Sequence, residues 1–250
     1  MTDHATHLAT LHSDGFVLLP GALTAGAVAW ARAAIDRLTP QHWDYQGLLD
    51  DHYKCIFNRD PRWLSYLDVP GVIGLMEAAL GPDCHIIGET AWRSRPGFIG
   101  GDLHVDYLAM ELPRTLLADP AFLLPMQVCS AHFYLSDIDA DLCPTLVIPG
   151  SHRAGRPPQA GETEWEGRGL QPVLCRAGDV LVFRSELWHA GSRNLTRNRS
   201  RYLLQVHYGR RMVAQKFSPY LDFRFNPAAL AAATPRQRRL LGEHAPAEYD

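Results

Sequence analysis

The chain has 250 residues, 46% of them hydrophobic, enough to bury a sizeable core in one domain. A formal net charge of -3 and the lack of any basic run flanked by aromatics argue against nucleic acid as a partner. No apolar run approaches the roughly 18 residues that span a bilayer, and Met1 to His12 is too polar for a secretory signal, so a soluble, cytoplasmic protein without a membrane partner is expected.

Taken from the N-terminus, Asp14-Gly15 leads into Phe16 to Leu19, a short apolar strand closed by Pro20-Gly21. A helix follows, with Thr24 as N-cap, Val28, Ala31, Ile35 and Leu38 at helical spacing, and Thr39-Pro40 as its stop. Residues 41–66 have no clean period, but aromatics alternate there with charged residues, as in binding loops. Part of this stretch is expected to line a pocket. A second helix runs from Val72 to Leu80 and ends at Gly81-Pro82.

Strands then dominate. His85 to Trp92, Met126 to Leu135, Leu146 to Ile148, Val173-Leu174, Asp179 to Phe183 and Arg201 to Tyr208 are separated by Gly- and Pro-rich turns, with a polar loop over 153–169. The pattern predicts a mainly β fold, a double-stranded β-helix of the jelly-roll or cupin type with flanking helices. Decoration is expected over 1–83, the jelly-roll core from about 84 to 210, and a helical tail over 211–250. Five cysteines without a C-x-x-C pair read as reduced, mostly buried thiols.

The chemistry centres on Gly100-Gly101-Asp102-Leu103-His104-Val105-Asp106. In an extended segment residues i and i+2 share a face, so His104 and Asp106 could hold one metal ion. His-x-Asp also occurs at His12-Ser13-Asp14 and His42-Trp43-Asp44, both read as surface segments. A third ligand is expected at His189, which an apolar strand delivers into a glycine-containing turn. Two imidazoles and one carboxylate on one side of a metal favour non-haem Fe(II) and leave sites open. Of the arginines that follow, Arg193 and Arg197 read as solvated. Arg201, which opens a strand, has the planar fork to bind a carboxylate in two places, with Arg199 as the alternative. His152 reads as structural, and His207 shares the parity of Arg201 along the strand. Trp92 and Tyr107 flank the metal motif and are candidates to line the pocket, although aromatics near a sheet more often belong to the core.

In order, these segments resemble the phytanoyl-CoA dioxygenase-like family of Fe(II)/2-oxoglutarate oxygenases. The matching pieces are Asp14 to Gly21, His104-Val105-Asp106, Leu146 to His152 with its Pro-Gly-Ser-His, Ala177 to Phe183, and His189 followed by Asn194 and the arginines. The resemblance implies His104, Asp106 and His189 as iron ligands, Arg201 as the anchor of the distal carboxylate of 2-oxoglutarate, and Thr145 as a hydroxyl donor to that cosubstrate. It departs from the family where Leu142-Cys143 replaces an Asn-Gly, where the arginine lies one residue further from His189 than in many members, and where Ala190-Gly191-Ser192 leaves Ser192 without a role. The implied reaction uses O2 and hydroxylates an unactivated C–H of a small specialised metabolite, releasing succinate and CO2. Desaturation, epimerisation and ring closure use the same cofactors and diverge only after hydrogen abstraction. A carboxylate at position 106 frees no site for chloride and argues against a halogenase. The readings from other classes are a cupin-like metal-dependent hydrolase or isomerase, which needs no arginine after the distal histidine, and a non-catalytic binding protein, which would have lost a ligand or that arginine. The sequence does not specify the oligomeric state.

Overall fold

The computed structural model describes residues 4–108, 112–119, 121–217 and 223–246. In chain order the elements are α1 (His4–Ser13), β1 (Phe16–Leu19), α2 (Ala25–Asp36), β2 (Tyr45–Gly47), β3 (Asp50–Lys54), α3 (Pro70–Leu80), β4 (His85–Ser94), α4 (Arg114–Leu117), β5 (Val128–Tyr134), β6 (Thr145–Val147), β7 (Glu164–Trp165), β8 (Arg168–Gly169), β9 (Gln171–Val173), β10 (Val180–Arg184), β11 (His189–Gly191), β12 (Arg201–Gly209), α5 (Pro227–Ala232) and α6 (Pro235–Leu240). A seven-stranded sheet in the order β1-β10-β5-β12-β4-β3-β2 faces a three-stranded sheet, β11-β6-β9, and every strand pair is antiparallel. This is the expected mainly β architecture with flanking helices.

Strand alternation divides the large sheet into two faces. Along β12, Leu204, Val206 and Tyr208 join Ala131, Phe133, Val180 and Val182 in the core beneath the helices. Helix α2 supplies Val28, Ala31, Ala34 and Ile35 to that layer and starts where the Thr24 hydroxyl accepts the Ala27 amide. Helix α3 adds Val72, Ile73, Leu75 and Met76. The opposite face packs Tyr134, Leu181, Phe183 and Leu203 against Val147 and Val173 of the small sheet. Apolar packing fills only one end of that space; the other end holds the cavity described below.

Four features differ from the sequence reading. The polar N-terminal stretch forms α1, held by the fully buried Leu11. Residues 41–66 are not simply irregular: β3 pairs with β4 from Asp50↔Ser94 to Lys54↔Thr90 and brings the large sheet to its β2 edge. The sheet therefore draws three strands from residues before 84. The polar loop over 153–169 contains the β7-β8 hairpin, turned at Glu166 and Gly167, both at positive φ, as a two-residue hairpin turn requires. Of the two rival His-x-Asp segments, His42 is exposed, but the Asp44 carboxylate is buried and paired with Arg59 at 2.6 Å. The five cysteines are all free and four of them are buried, as expected.

Candidate active site

His104 does not lie on a long strand. It makes a single antiparallel bridge with His189, the first residue of β11, in which each backbone N–H donates to the other's carbonyl at 2.9 and 3.0 Å. Gly100, at φ 83°, permits this approach, because a Cβ there would sit 2.7 Å from the Gly191 carbonyl oxygen. The chain then bends, and the amides of Asp106 and Tyr107 both donate to the Ser185 carbonyl. The bridge and the bend together bring three side chains to one point. Asp106 Oδ1 is 3.7 Å from His104 Nε2 and 3.6 Å from His189 Nε2, and the three ligand atoms lie within 4.8 Å of one another.

The tautomers follow from the acceptors. His104 Nδ1 meets the Asp102 carbonyl at 2.7 Å and His189 Nδ1 meets the Leu187 carbonyl at 2.9 Å. Carbonyl oxygens only accept, so both Nδ1 atoms carry a proton and both Nε2 atoms are turned toward Asp106. Burial pushes the Asp106 carboxyl up, but the imidazoles of His189, His104, His207 and His132 outweigh it and hold the group well below the usual carboxylate range. Ser130 Oγ donates to Asp106 Oδ2 at 3.3 Å and bonds His207 Nδ1 at 2.8 Å. An anionic carboxylate beside two imidazole Nε2 atoms is a donor set for one divalent transition metal, which would take the place of any proton they share.

The triad opens on a cavity of about 480 Å³ whose floor is the inner face of the large sheet. Arg201 lies at one end, only 6% exposed. Its NH1 donates to the Cys143 carbonyl at 2.8 Å and its NH2 to Ser94 Oγ at 3.3 Å, while its Nε has no partner. Among the described residues no carboxylate forms a direct ion pair with it; Asp50 reaches it through Ser94 Oγ, which donates to Asp50 Oδ1 at 2.6 Å. The Arg199 alternative lies outside the cavity, paired with Asp139 at 2.7 Å on the surface. Thr145, the first residue of β6, lines the cavity and accepts the Tyr134 hydroxyl at 2.7 Å, which leaves its own proton free to donate. Cys143 adopts φ 45°, a left-handed conformation that favours glycine, so the turn persists without the expected Asn-Gly. Ser192 Oγ donates to the Pro144 carbonyl and supports the same turn.

The remaining expectations divide. His207 lies on the cavity face, because the irregularity in β12 falls after it, between His207 and Tyr208. His152 is structural: its Nε2 donates to the His12 carbonyl at 3.1 Å, and burial holds it down to about 3. Trp92 lines the cavity, but Tyr107 packs on the Ile87, Val128 and Val213 cluster, because the bend at Asp106 ends the strand-like alternation. From 41–66, Asp50, His52, Lys54 and Cys55 reach the cavity.

The sequence reading had no signal for the polar wall. Trp92 Nε1 donates to Gln205 Oε1 at 2.7 Å, so the Gln205 amide nitrogen donates to His132 Nε2 at 3.0 Å. His132 Nδ1 then carries a buried proton without a partner. The parity of β12 from Arg201 onward would have placed Gln205 on this face, but nothing in the sequence would have paired it with His132.

A family model described as phytanoyl-CoA dioxygenase (PhyH) matches residues 11–202. The uncharacterised protein Rv1501 of Mycobacterium tuberculosis is 26% identical over 165 residues, 65% of this chain. The chain spans 57% of the length of that relative. Among solved structures, the non-haem α-ketoglutarate-dependent epimerase SnoN from nogalamycin biosynthesis aligns with a TM-score of 0.68 at 18% identity, covering 88% of this chain and 89% of its own. HygX from Streptomyces hygroscopicus, solved with nickel, 2-oxoglutarate and hygromycin B, aligns with a TM-score of 0.66 at 19% identity, covering 84% and 88%. Among the described residues, no helix is long and apolar enough to cross a membrane.

Proposed function

The chain belongs to the phytanoyl-CoA dioxygenase family, and on that premise we propose that it is an Fe(II)- and 2-oxoglutarate-dependent oxygenase in which His104, Asp106 and His189 hold the iron. The observation that carries this reading is the convergence of two imidazole Nε2 atoms and one carboxylate oxygen within 4.8 Å of one another. With O2, such a centre supplies oxidative decarboxylation of 2-oxoglutarate to succinate and CO2, coupled to removal of a hydrogen atom from a substrate.

The protein's own residues bind, orient and exclude water. The Asp102 and Leu187 carbonyls lock the imidazole tautomers, and Ser130 orients the second carboxylate oxygen of Asp106. Arg201 offers a buried guanidinium, fixed on two sides and with no direct carboxylate partner among the described residues, to the distal carboxylate of 2-oxoglutarate; Thr145 donates its hydroxyl proton to the same molecule. The substrate is a small organic molecule, and hydroxylation of an unactivated C–H in a specialised metabolite is the outcome we assign. Epimerisation is the second reading, supported by the fold shared with SnoN, a 2-oxoglutarate-dependent epimerase. A metal-dependent hydrolase does not account for the cavity placement of Arg201.

The test is succinate formation from 2-oxoglutarate by the iron-loaded protein in air, without added substrate. Slow, iron-dependent succinate release that Asp106→Ala abolishes is expected. Iron binding without any consumption of 2-oxoglutarate would refute the reading.

A further inference from the structure

One row of side chains crosses three strands at the Arg201 end of the cavity. Asp50 of β3 lies opposite Ser94 of β4, and Ser94 lies opposite Arg201 of β12. Residues paired in this way across antiparallel strands have side chains within reach of one another. Here they are bonded: Arg201 NH2 donates to Ser94 Oγ at 3.3 Å, and Ser94 Oγ donates on to Asp50 Oδ1 at 2.6 Å. Asp50 and Arg201 are each 6% exposed, and both line the cavity that holds the triad. A carboxyl group thus stands one hydroxyl away from the guanidinium assigned to the distal carboxylate of 2-oxoglutarate.

The charges around Asp50 come from few groups among the described residues. Ser94 is its one side-chain hydrogen-bond donor. Burial raises the Asp50 pKa above the ordinary carboxylate value; the Ser94 bond, Arg201 and Arg95 oppose this, and Asp51 adds to it. Asp51, the next residue of β3, bonds both Arg93 and Arg95 and so draws those cations to itself. The Cys143 thiol, pushed up to about 11 by burial first, feels Arg201 and Asp50 in opposite directions. His52, the next residue on the cavity face of β3, is held down to about 3 by burial first and is neutral. Lys54 stands four residues along β3, roughly 13 Å away in an extended strand. Arg201 is therefore the one cation that Asp50 and an incoming carboxylate have in common. Two carboxylates that share one guanidinium in a buried site repel, and the pair takes up a proton.

We propose that Asp50 makes cosubstrate binding proton-coupled: when the distal carboxylate of 2-oxoglutarate takes the Arg201 fork, Asp50 takes one proton from solvent and becomes a neutral donor beside it. This rests on the oxygenase reading, which assigns Arg201 to that carboxylate. Before the cosubstrate arrives, the same acid holds the guanidinium in place through Ser94. The sign follows from linkage. Asp50 binds its proton more tightly in the complex than in the free protein, so 2-oxoglutarate affinity rises as the pH falls through the complex value and levels off below the free one.

The test is calorimetric titration of 2-oxoglutarate into the protein without oxygen, with Fe(II) in excess, from pH 6 to pH 8. Buffers of different ionisation enthalpy, PIPES and ACES, report the protons exchanged. Uptake of about half a proton or more per 2-oxoglutarate is expected near pH 6, with affinity falling about threefold or more by pH 8. This reading on the parent needs no variant. Asp50→Asn mimics the protonated acid, because its amide oxygen accepts from Ser94 and its amide nitrogen donates. The variant should bind 2-oxoglutarate without proton uptake, hold its affinity within about twofold over that range, and bind more tightly than the parent at pH 8. The proposal is overturned if the parent takes up no proton, if Asp50→Asn keeps the parent's pH dependence, or if the variant binds more weakly than the parent at every pH, which would leave Asp50 as a support for Arg201 alone. A protein that binds iron but no 2-oxoglutarate at any pH would fail the oxygenase reading instead.

Discussion

Strand β12 has two faces, and they obey different rules. Leu204, Val206 and Tyr208 face the helices and are stabilised by the apolar surface they remove from water. Arg201, Gln205 and His207, one residue out of phase, face the cavity and are held by hydrogen bonds to Ser94, Trp92, His132 and Ser130. The outer face fixes the fold with little regard to side-chain identity beyond size and apolarity. The inner face spends buried polar groups on geometry, and Arg201 Nε on β12, with His132 Nδ1 on β5 and His52 Nε2 on β3 beside it, is left without a hydrogen-bond partner. Groups left this way mark where a ligand is to be received.

The sharpest way to break the comparison is to put the same charge on each face. Val206→Asp buries a carboxylate in the helix-side core and should cost about 4 kcal/mol or more, giving unfolded or insoluble protein. Gln205→Asp, its neighbour on the cavity face, should stay folded, with a melting temperature within a few degrees of the parent. Equal losses in thermal melts would erase the distinction. Arg201→Lys keeps the charge and loses the fork, so 2-oxoglutarate affinity should fall about 100-fold, or about 2.7 kcal/mol, at unchanged melting temperature. A titration of 2-oxoglutarate into the iron-loaded variant checks this.

Acid sharpens the contrast further. His152 is buried and its pKa is held down to about 3 against 6.5 in the unfolded chain, so below pH 6.5 the unfolded state binds more protons. Its contribution is complete above pH 6.5 and is lost as the pH falls toward 3, at about 1.4 kcal/mol per pH unit. Denaturant melts should therefore show stability dropping by about 2 kcal/mol between pH 6.5 and 5 from this group, with a shallower slope in His152→Gln. The smallest effect is expected for Tyr134→Phe, which removes the bond to Thr145 and should cost about 1 kcal/mol in the same melts. A loss of several kcal/mol there would mean that Tyr134 supports the small sheet as well as Thr145.

The sequence was most legible where chemistry is local. His104 and Asp106 share a short motif, and the apolar run Val180 to Phe183 points to His189 beyond it; the helix over α2 and the strands β1, β4, β5, β10 and β12 follow from period and turn residues. It was less legible where partners are distant or the signal is one of placement. Arg201 and Arg199 are alike in sequence and differ only in which of them is inside the sheet edge. Strand β3 carries Asp50, Asp51, His52 and Lys54, a polar strand next to the β2 edge with no apolar alternation, and so reads as a loop. Helix α1 has one buried residue, Leu11, too little for a periodic pattern. Tyr107 takes the core position and not the pocket one because a bend at Asp106, set by the Ser185 carbonyl, replaces the extended segment that its spacing suggests.

The central claim is that His104, Asp106 and His189 hold iron with 2-oxoglutarate beside it. Its most direct test is addition of Fe(II) and then 2-oxoglutarate to the metal-free protein without oxygen, following the visible charge-transfer band of the ternary complex. A band in the parent that is absent in His104→Ala, with the variant's melting temperature unchanged, is the predicted result; a parent protein that binds iron and 2-oxoglutarate without developing the band would contradict the account.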